Sequence, residues 1–354
     1  MIFSLFCQIL FNPYIFYGAL LPAIVAFGIK FKIKKARGKL DVTNEVDISG
    51  KLVVVTGASD GIGKVTAEQL AVRGAKVVMA CRNLQKAQKV VDDIRSRTQN
   101  GELIIMHLDL SSLSSVRKFA SDFTSKYGGP SSPGLSMLIN NAGVANAVGI
   151  RSLTKDGFEE AFGVNHLAHF LLTNLLLPEI ERAGALSTAD NPARVIIVSS
   201  GVHVWGKLNF DDLMYEKTPL NEYLFPSKLY CNSKLANALF NVELARRLRA
   251  KKVKVTSNAL DPGLVGTNFG KDHPRKFFVR NVIFPILSFF QMKSAREGAE
   301  TTLHCALSKY LAYHSGEMYR DCQFWDYTQR PKLTEKDAAL LWEKSEKFIK
   351  LTSA

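Results

Sequence analysis

Leu52-Val53-Val54-Val55-Thr56 runs directly into Gly57-Ala58-Ser59-Asp60-Gly61-Ile62-Gly63. A β-forming apolar run, three glycines within seven residues and then a helix-length stretch at 62–73 form the pattern of strand, tight turn and helix N-terminus. In that setting the glycines let the backbone approach a pyrophosphate, which the first helical amides attract. The stretch is therefore read as a dinucleotide-binding turn made by Gly57, Ser59, Asp60, Gly61, Ile62 and Gly63. Asp60 places a carboxylate among those amides and is expected to cap the helix that opens at Gly61.

Further apolar runs recur at 76–80, 103–107, 137–140, 194–199 and 253–260, with helix-length sequence at 84–98, 112–126, 155–177, 227–250 and 293–308. Strands buried on both faces and separated by helices predict a parallel sheet wrapped on two sides. Right-handed crossovers then give an α/β, single-domain, doubly wound parallel sheet of the Rossmann type. The expected organisation is a hydrophobic membrane anchor at 1–29, a basic linker at 30–47, the Rossmann domain at 48–330 and a C-terminal helical extension at 331–354.

The 354 residues are 47% hydrophobic and 22% charged, which excludes disorder, collagen and a polytopic membrane protein. Lys and Arg exceed Asp and Glu by 14, but six of the cations, Lys30, Lys32, Lys34, Lys35, Arg37 and Lys39, crowd behind residues 2–29, which hold no charged side chain. That is the flank of a membrane segment, not a nucleic-acid surface. The run exceeds the ~20 residues that cross a bilayer, and its charges follow it instead of preceding it, which argues against a cleaved signal. Pro13 and Pro22 leave a straight span and a re-entrant hairpin both open. The basic flank puts the rest of the chain in the cytosol, on the endoplasmic reticulum or another intracellular membrane. Cys7, Cys81, Cys231, Cys305 and Cys322 are odd in number and lack CxxC spacing, so they are read as reduced thiols.

Two stretches exceed a minimal α/β unit. Residues 203–226, with Trp205, Phe210, Tyr215, Tyr223 and Phe225, read as an insertion at the carboxyl ends of the strands, where open sheets bind ligands. Residues 264–292 carry Phe277, Phe278, Phe284, Phe289 and Phe290 among basic residues, and three readings stay open: an apolar pocket wall, a segment on the bilayer surface, or core. The second strand ends at Ala80-Cys81-Arg82 with no carboxylate to bind a ribose 2′-hydroxyl. Arg82, helped by Lys64, suits a 2′-phosphate, so NADP(H) is favoured over NAD(H).

Tyr230 and Lys234 stand four residues apart on one face of a helix. An ammonium at about 4 Å in a medium of effective dielectric about 20 interacts by about 4 kcal/mol. That would bring a phenol that titrates near ~10 toward neutral pH, where it can exchange a proton with an alcohol or carbonyl. Ser200, at the end of the fifth strand, can hydrogen-bond the same oxygen. His166 and His169, at i and i+3 without a carboxylate or cysteine at ligand spacing, are read as packing or surface residues, and no metal is expected.

Gly57-x3-Gly61-x-Gly63, Asn140-Asn141-Ala142-Gly143, Ser200, Tyr230-x3-Lys234 and Pro262-Gly263 occur in the order and spacing of the short-chain dehydrogenase/reductase family, which the chain resembles over about residues 48–330. Longer stretches, Leu153-Thr154-Lys155-Asp156-Gly157, Val164-Asn165-His166-Leu167 and Ser233-Lys234-Leu235-Ala236-Asn237, look like its retinol dehydrogenase branch. They are also similar to the dehydrogenase domain of the WW-domain-containing oxidoreductase and to the X-chromosome dehydrogenase/reductase.

The resemblance implies roles by position. Tyr230 would be the general acid/base, Lys234 would bind the nicotinamide ribose and lower the tyrosine pKa, Ser200 would orient the substrate oxygen and Asn165 would hold a water of the proton relay. Asp109 and Leu110 would lie by the adenine, Asn141, Ala142 and Gly143 under the cofactor, and Pro262, Gly263, Val265 and Thr267 beside the carboxamide. Two departures stand out. Thirty residues separate Ser200 from Tyr230, and Asp261 occupies the place before Pro-Gly where retinol dehydrogenases often carry histidine.

The function expected is an NADP(H)-dependent oxidoreductase interconverting a lipophilic alcohol of the retinoid, steroid or polyprenol class with its aldehyde or ketone. The alternatives are a catalytically idle NADP(H)-binding sensor or membrane scaffold of the same fold, and a lipid carrier. The partners expected are a lipophilic small molecule and a membrane, with no nucleic acid; a homo-oligomer stays open.

Overall fold

The structure is a computed structural model describing residues 26, 30–32, 38–145, 149–220, 226–266, 292–326 and 333–350. The chain divides into two compact units, Met1–Gly38 with Arg275–Met292 and Lys39–Pro274 with Lys293–Ala354; the second is described below. The proposed anchor, apart from Ala26, lies outside the described residues, as do Cys7, Thr267, Tyr223, Phe225 and residues 267–291 of the aromatic segment. Among the described residues no helix is long and apolar enough to cross a membrane.

Eight strands form one sheet in the order β3-β2-β1-β4-β5-β6-β7-β8. They are β1 Leu52–Thr56, β2 Lys76–Cys81, β3 Glu102–His107, β4 Met137–Asn140, β5 Ala193–Val198, β6 Val255–Asp261, β7 Met318–Arg320 and β8 Gln323–Phe324. All neighbours pair in parallel except β7 and β8. The fold is thus the Rossmann-type α/β sheet that the apolar runs predict, lengthened at one edge by two short strands that they do not.

Among the described residues seven helices cover the sheet: α1 Gly61–Val72, α2 Leu84–Arg95, α3 Leu113–Tyr127, α4 Ala168–Ala185, α5 Lys228–Ala250, α6 Ala295–Leu307 and α7 Glu335–Ile349. Alternate residues of each strand face opposite cores. Val54 packs with Phe119 of α3, Phe170 of α4, Leu239 of α5 and Trp342 of α7. Val53 and Val55 pack with Leu70 of α1, Ile94 of α2 and Leu303 of α6. Each fully buried side chain of this size contributes about 1.5–3 kcal/mol relative to exposure. The last helix shares the core of the sheet.

The helix expected from residue 155 starts later. Gly157, at φ +84°, turns the chain, and the Glu159 carboxylate caps the amides of Ala161 and Phe162 at 2.9 and 2.8 Å. A short helical turn, Glu160–Phe162, and a π-helical turn, Gly163–Leu167, then lead into α4, which continues through Pro178. Arg194, buried at the other end of the sheet, donates to the carbonyls of Cys305 and Ser308 at the end of α6, a favourable place for a cation against a helix dipole.

Candidate functional site

The strand order reverses between β1 and β4, and the crevice at their carboxyl ends is where sheets of this kind bind nucleotides. Gly57 and Gly61 adopt φ +67° and +50°. A Cβ on Gly57 would stand 2.9 Å from Cβ of Ala142, and one on Gly63 would stand 2.4 Å from the Gly57 carbonyl oxygen, so only glycine closes this turn. Asp60 caps α1 as expected, accepting from the Gly61 amide at 2.7 Å, and its second oxygen takes Lys86 Nζ at 2.6 Å. Ile62 is half-buried beside Gly298, and Ser59 hydrogen-bonds the Cys81 thiol, which burial pushes up.

One buried hydroxyl ties β1 to β4. Thr56 Oγ1 accepts from the amides of Asn141 and Ala142 at 2.9 and 3.0 Å, while Asn141 Nδ2 donates to the Thr56 carbonyl at 2.8 Å. His169 Nε2 lies 2.9 Å from the same hydroxyl, and His169 Nδ1 lies 3.0 Å from the Asn165 carbonyl oxygen. A carbonyl only accepts, so Nδ1 carries the proton; burial holds the ring neutral, with its pKa down to about 4, so Nε2 accepts from Thr56. The i, i+3 spacing gives no sign of this role. His166 is also neutral, pushed down to about 3 by burial, and hydrogen-bonds Ser345 among Phe162, Phe170 and Phe240.

After β3, the Asp109 carboxylate accepts from the Ser111 amide and hydroxyl and from Lys155 Nζ at 2.8 Å. Burial pushes its pKa up, but these hydrogen bonds outweigh burial and hold it below the usual range. Leu110 is buried beside it. Arg82 stands exposed after β2. Lys64, expected to assist it, is instead paired with Asp93 at 2.7 Å, because α1 and α2 bring the two side chains together.

On the other side of the crevice, α5 presents Tyr230, Ser233 and Lys234, all buried. Ser227 caps α5 by accepting from the Tyr230 amide at 3.2 Å. The Ser200 side chain hydrogen-bonds the Tyr230 phenol. Asn165, in the π-helical turn, bonds both backbone groups of Val144, at 2.7 and 2.9 Å, and donates to Ser233 at 2.9 Å. A Cβ on Gly143 would lie 3.2 Å from Asn165 Oδ1 and 3.4 Å from Lys234 Nζ, so the backbone there borders both side chains. Pro262 and Gly263, at φ +79°, follow β6, and Val265 bridges to Lys293.

The expected acidification of the tyrosine by Lys234 is not what the geometry gives. Lys234 Nζ donates to the Val198 carbonyl at 3.0 Å and lies 5.7 Å from the Tyr230 ring centroid. Burial drives the phenol above its ordinary value; the Ser200 hydrogen bond opposes this, and the charge of Asp261 adds to it. Lys234 is itself pushed down to about 8 by burial, with Asp261 opposing.

The 203–226 insertion starts with a 3₁₀ turn, Gly201–Trp205, capped by Ser200. It is pinned to α5, since Asn232 donates to the Tyr215 hydroxyl at 3.0 Å and accepts from the Lys207 amide at 2.7 Å. Asp212 gathers the amides of Glu216, Lys217 and Thr218. The described part of the insertion therefore lies beside the catalytic candidates, as its position in the sequence implies.

The sequence profile of the short chain dehydrogenase family matches residues 51–209. Retinol dehydrogenase 12 of Mus musculus is 41% identical over 303 residues, covering 86% of this chain and 87% of that protein. Retinol dehydrogenase 11 of Homo sapiens is 40% identical over 315 residues, covering 89% and 90%. Among solved structures, an uncharacterized protein from Mycobacterium paratuberculosis has a TM-score of 0.63 and 32% identity over 88% of this chain and 98% of its own. The Pseudomonas aeruginosa RhlG/NADP active-site complex, with a TM-score of 0.57 and 22% identity over 77% of this chain and 95% of its own, shares the fold.

Proposed function

The chain belongs to the short-chain dehydrogenase/reductase family, and from that premise we propose that it is an NADP(H)-dependent oxidoreductase interconverting a lipophilic alcohol with its aldehyde or ketone. The observation that carries the reading is the convergence of Ser200, Tyr230, Lys234 and Asn165 at the carboxyl ends of β4, β5 and β6, opposite the glycine turn of β1.

The residues present fit a dinucleotide. The turn at Gly57 and Gly63 is too close to its neighbours for any side chain, which leaves bare backbone facing the crevice. Gly57 to Gly63 would hold the pyrophosphate at the start of α1, Asp109 and Leu110 the adenine, Asn141 to Gly143 the underside of the cofactor, Lys234 the nicotinamide ribose, and Pro262 to Val265 the carboxamide. The bound cofactor supplies or accepts a hydride. Arg82 at the end of β2, where no carboxylate stands, supports NADP(H) over NAD(H).

In carbonyl reduction the Tyr230 hydroxyl gives its proton to the substrate oxygen. Ser200 donates to that same oxygen and steadies the negative charge that develops there. Asn165, locked to Val144 and Ser233, fixes the π-helical turn beside Lys234, where the proton is replaced from solvent. The lipophilic substrate class and the membrane site rest on the uncharged residues 2–29, the six cations behind them and the likeness to retinol dehydrogenases.

The test is NADPH and NADH oxidation by the detergent-solubilised full chain against all-trans-retinal, steroid ketones and a polyprenal, with Tyr230→Phe as control. Tyrosine-dependent consumption of NADPH in preference to NADH is expected. Turnover retained in Tyr230→Phe would overturn the mechanism, and equal use of NADH the cofactor assignment.

A further inference from the structure

Asp261 and Arg320, the last residues of β6 and β7, face each other in register. The Asp261 side chain is only 3% exposed; one oxygen accepts from the Gly263 amide at 3.0 Å and the other lies 3.5 Å from Arg320 Nε. Arg320 is half-exposed, its guanidinium 5.3 Å from the centroid of the Trp325 ring. On its other side the carboxylate abuts the loop of Ser200, for a Cβ on Gly201 would stand 2.9 Å from Asp261 Oδ2. A bare glycine thus lets a buried negative charge lie against the loop whose preceding residue hydrogen-bonds Tyr230.

A single 3.5 Å contact to a half-exposed guanidinium is far from the close bidentate clamp that would neutralise a carboxylate, and in a poorly polarisable interior the remaining field reaches further than in water. Among the described residues the other charged or titratable groups around the pair are few. Cys231 neighbours Tyr230 on α5, His203 Nδ1 donates to the Ser200 carbonyl at 2.8 Å, and His169 faces Lys234 from α4 as a neutral ring. Asp321, beyond β7, is engaged by Lys293 at 2.5 Å, and its other oxygen lies 4.0 Å from Arg320 Nε, farther than Asp261 does. Among the described residues, Asp261 is the negative charge that acts on both Tyr230 and Lys234.

We propose that Asp261 is a positioning residue of the site, which keeps the proton on the Tyr230 phenol and the charge on the Lys234 ammonium, and that Arg320 sets how much of its field the pair receives. The proposal rests on the reading of Tyr230 as the proton-transferring group. The device holds the site in the form from which carbonyl reduction starts: the phenol gives its proton to the carbonyl oxygen as the hydride reaches the carbonyl carbon, and regains one from solvent.

The test is the number of protons released when NADP+ binds the solubilised full chain, from calorimetric heats in buffers of different ionisation enthalpy across pH. The positive nicotinamide ring favours phenolate, and the part of the release lost in Tyr230→Phe belongs to Tyr230. In Asp261→Asn, which keeps the shape and the Gly263 acceptor, the half-point of that release should move down by about one pH unit, a tenfold change in the phenolate-to-phenol ratio. In Arg320→Gln it should move up, and Asp261→Glu should return toward the unaltered protein. Loosened packing has no reason to shift the two variants in opposite directions. Half-points that stay fixed, or move the same way in both, overturn the proposal while leaving Tyr230 in its role. NADP+ binding with no Tyr230-dependent release in the unaltered protein overturns both. Should Asp261→Asn fail to fold, the sign in Arg320→Gln decides.

Discussion

Nε2 of His169 accepts a hydrogen bond from Oγ1 of Thr56 across 2.9 Å, and through that hydroxyl a buried ring on α4 holds the end of β1 against the start of the loop after β4. The hydroxyl uses its one proton on the histidine and its lone pairs on two backbone amides, so it is saturated. Thr56→Val keeps the shape, leaves the Ala142 amide without its acceptor and leaves the Asn141 amide with only the Ile139 carbonyl at 3.0 Å. The expected loss is about 2–3 kcal/mol of stability with roughly tenfold weaker NADPH binding. His169→Phe removes only the histidine acceptor and should cost about 1 kcal/mol. Urea denaturation and fluorescence titration with NADPH check both; a larger effect in His169→Phe than in Thr56→Val would contradict the hub.

The buried histidines make stability depend on mild acid. Folding lowers the pKa of His166 from 6.5 to about 3 and of His169 to about 4. The unfolded chain therefore binds more protons than the folded one across that interval. Their contribution is complete above pH 6.5 and is lost as pH falls, until about 4 for His169 and about 3 for His166. At pH 5.5 the two together should cost about 3 kcal/mol relative to pH 7.5. The carboxylates of Asp109 and Glu243, held below their usual range, lose their share only in stronger acid. Urea midpoints at the two pH values measure the loss, and His166→Gln, which retains a donor for Ser345, should remove about half of it. A midpoint indifferent to pH would contradict the neutral, buried state of both rings.

What the sequence made legible follows from the range of the interactions involved. The strands β1, β2, β4, β5 and β6 announce themselves because each is buried on both faces and so reads as an apolar run, and the half-buried edge strand β3 still carries one at 103–106. Met318–Arg320 and Gln323–Phe324 do not, since three and two residues hold no pattern and acquire their strand character only by pairing at the edge of β6. Tyr230 and Lys234 share a helix face at i, i+4 and were readable, whereas Thr56 with His169, and Asp261 with Arg320, are joined by topology across long separations. The low tyrosine pKa expected from a neighbouring ammonium failed because spacing fixes the face of a helix and not which acceptor the lysine takes; Val198 takes it.

Arg82 stands exposed at the end of β2, where the cofactor preference is expected to be set. Arg82→Glu should weaken NADPH binding by about 10- to 100-fold, as a charge-assisted contact to the 2′-phosphate becomes a repulsion. The new carboxylate can accept from a 2′-hydroxyl, so NADH binding should hold or improve. Lys64→Ala should leave the ratio within about twofold, since Lys64 is engaged by Asp93. Dissociation constants for the two cofactors give the answer, and a preference unchanged by Arg82→Glu would place the selecting group elsewhere.

Ser200 separates orientation from proton transfer. Its side chain hydrogen-bonds the Tyr230 phenol and weakly accepts from the Val202 amide at 3.5 Å, so removing it leaves no strong backbone contact unmade. Ser200→Ala should lower kcat by about 10²–10³-fold, the usual effect of deleting one donor from a site where negative charge develops. NADPH affinity should stay within about threefold, because in the proposed mechanism Ser200 contacts the substrate oxygen and not the cofactor. The same substitution removes the hydrogen bond that opposes burial at the phenol, so the pKa of Tyr230 should rise further. Alcohol oxidation, which needs the phenolate, should then require a higher pH, while its alkaline plateau shows only the loss of orientation. A pH–rate profile in the oxidation direction separates these effects: a lowered plateau with an unmoved limb would mean that Ser200 touches substrate without touching the proton on Tyr230.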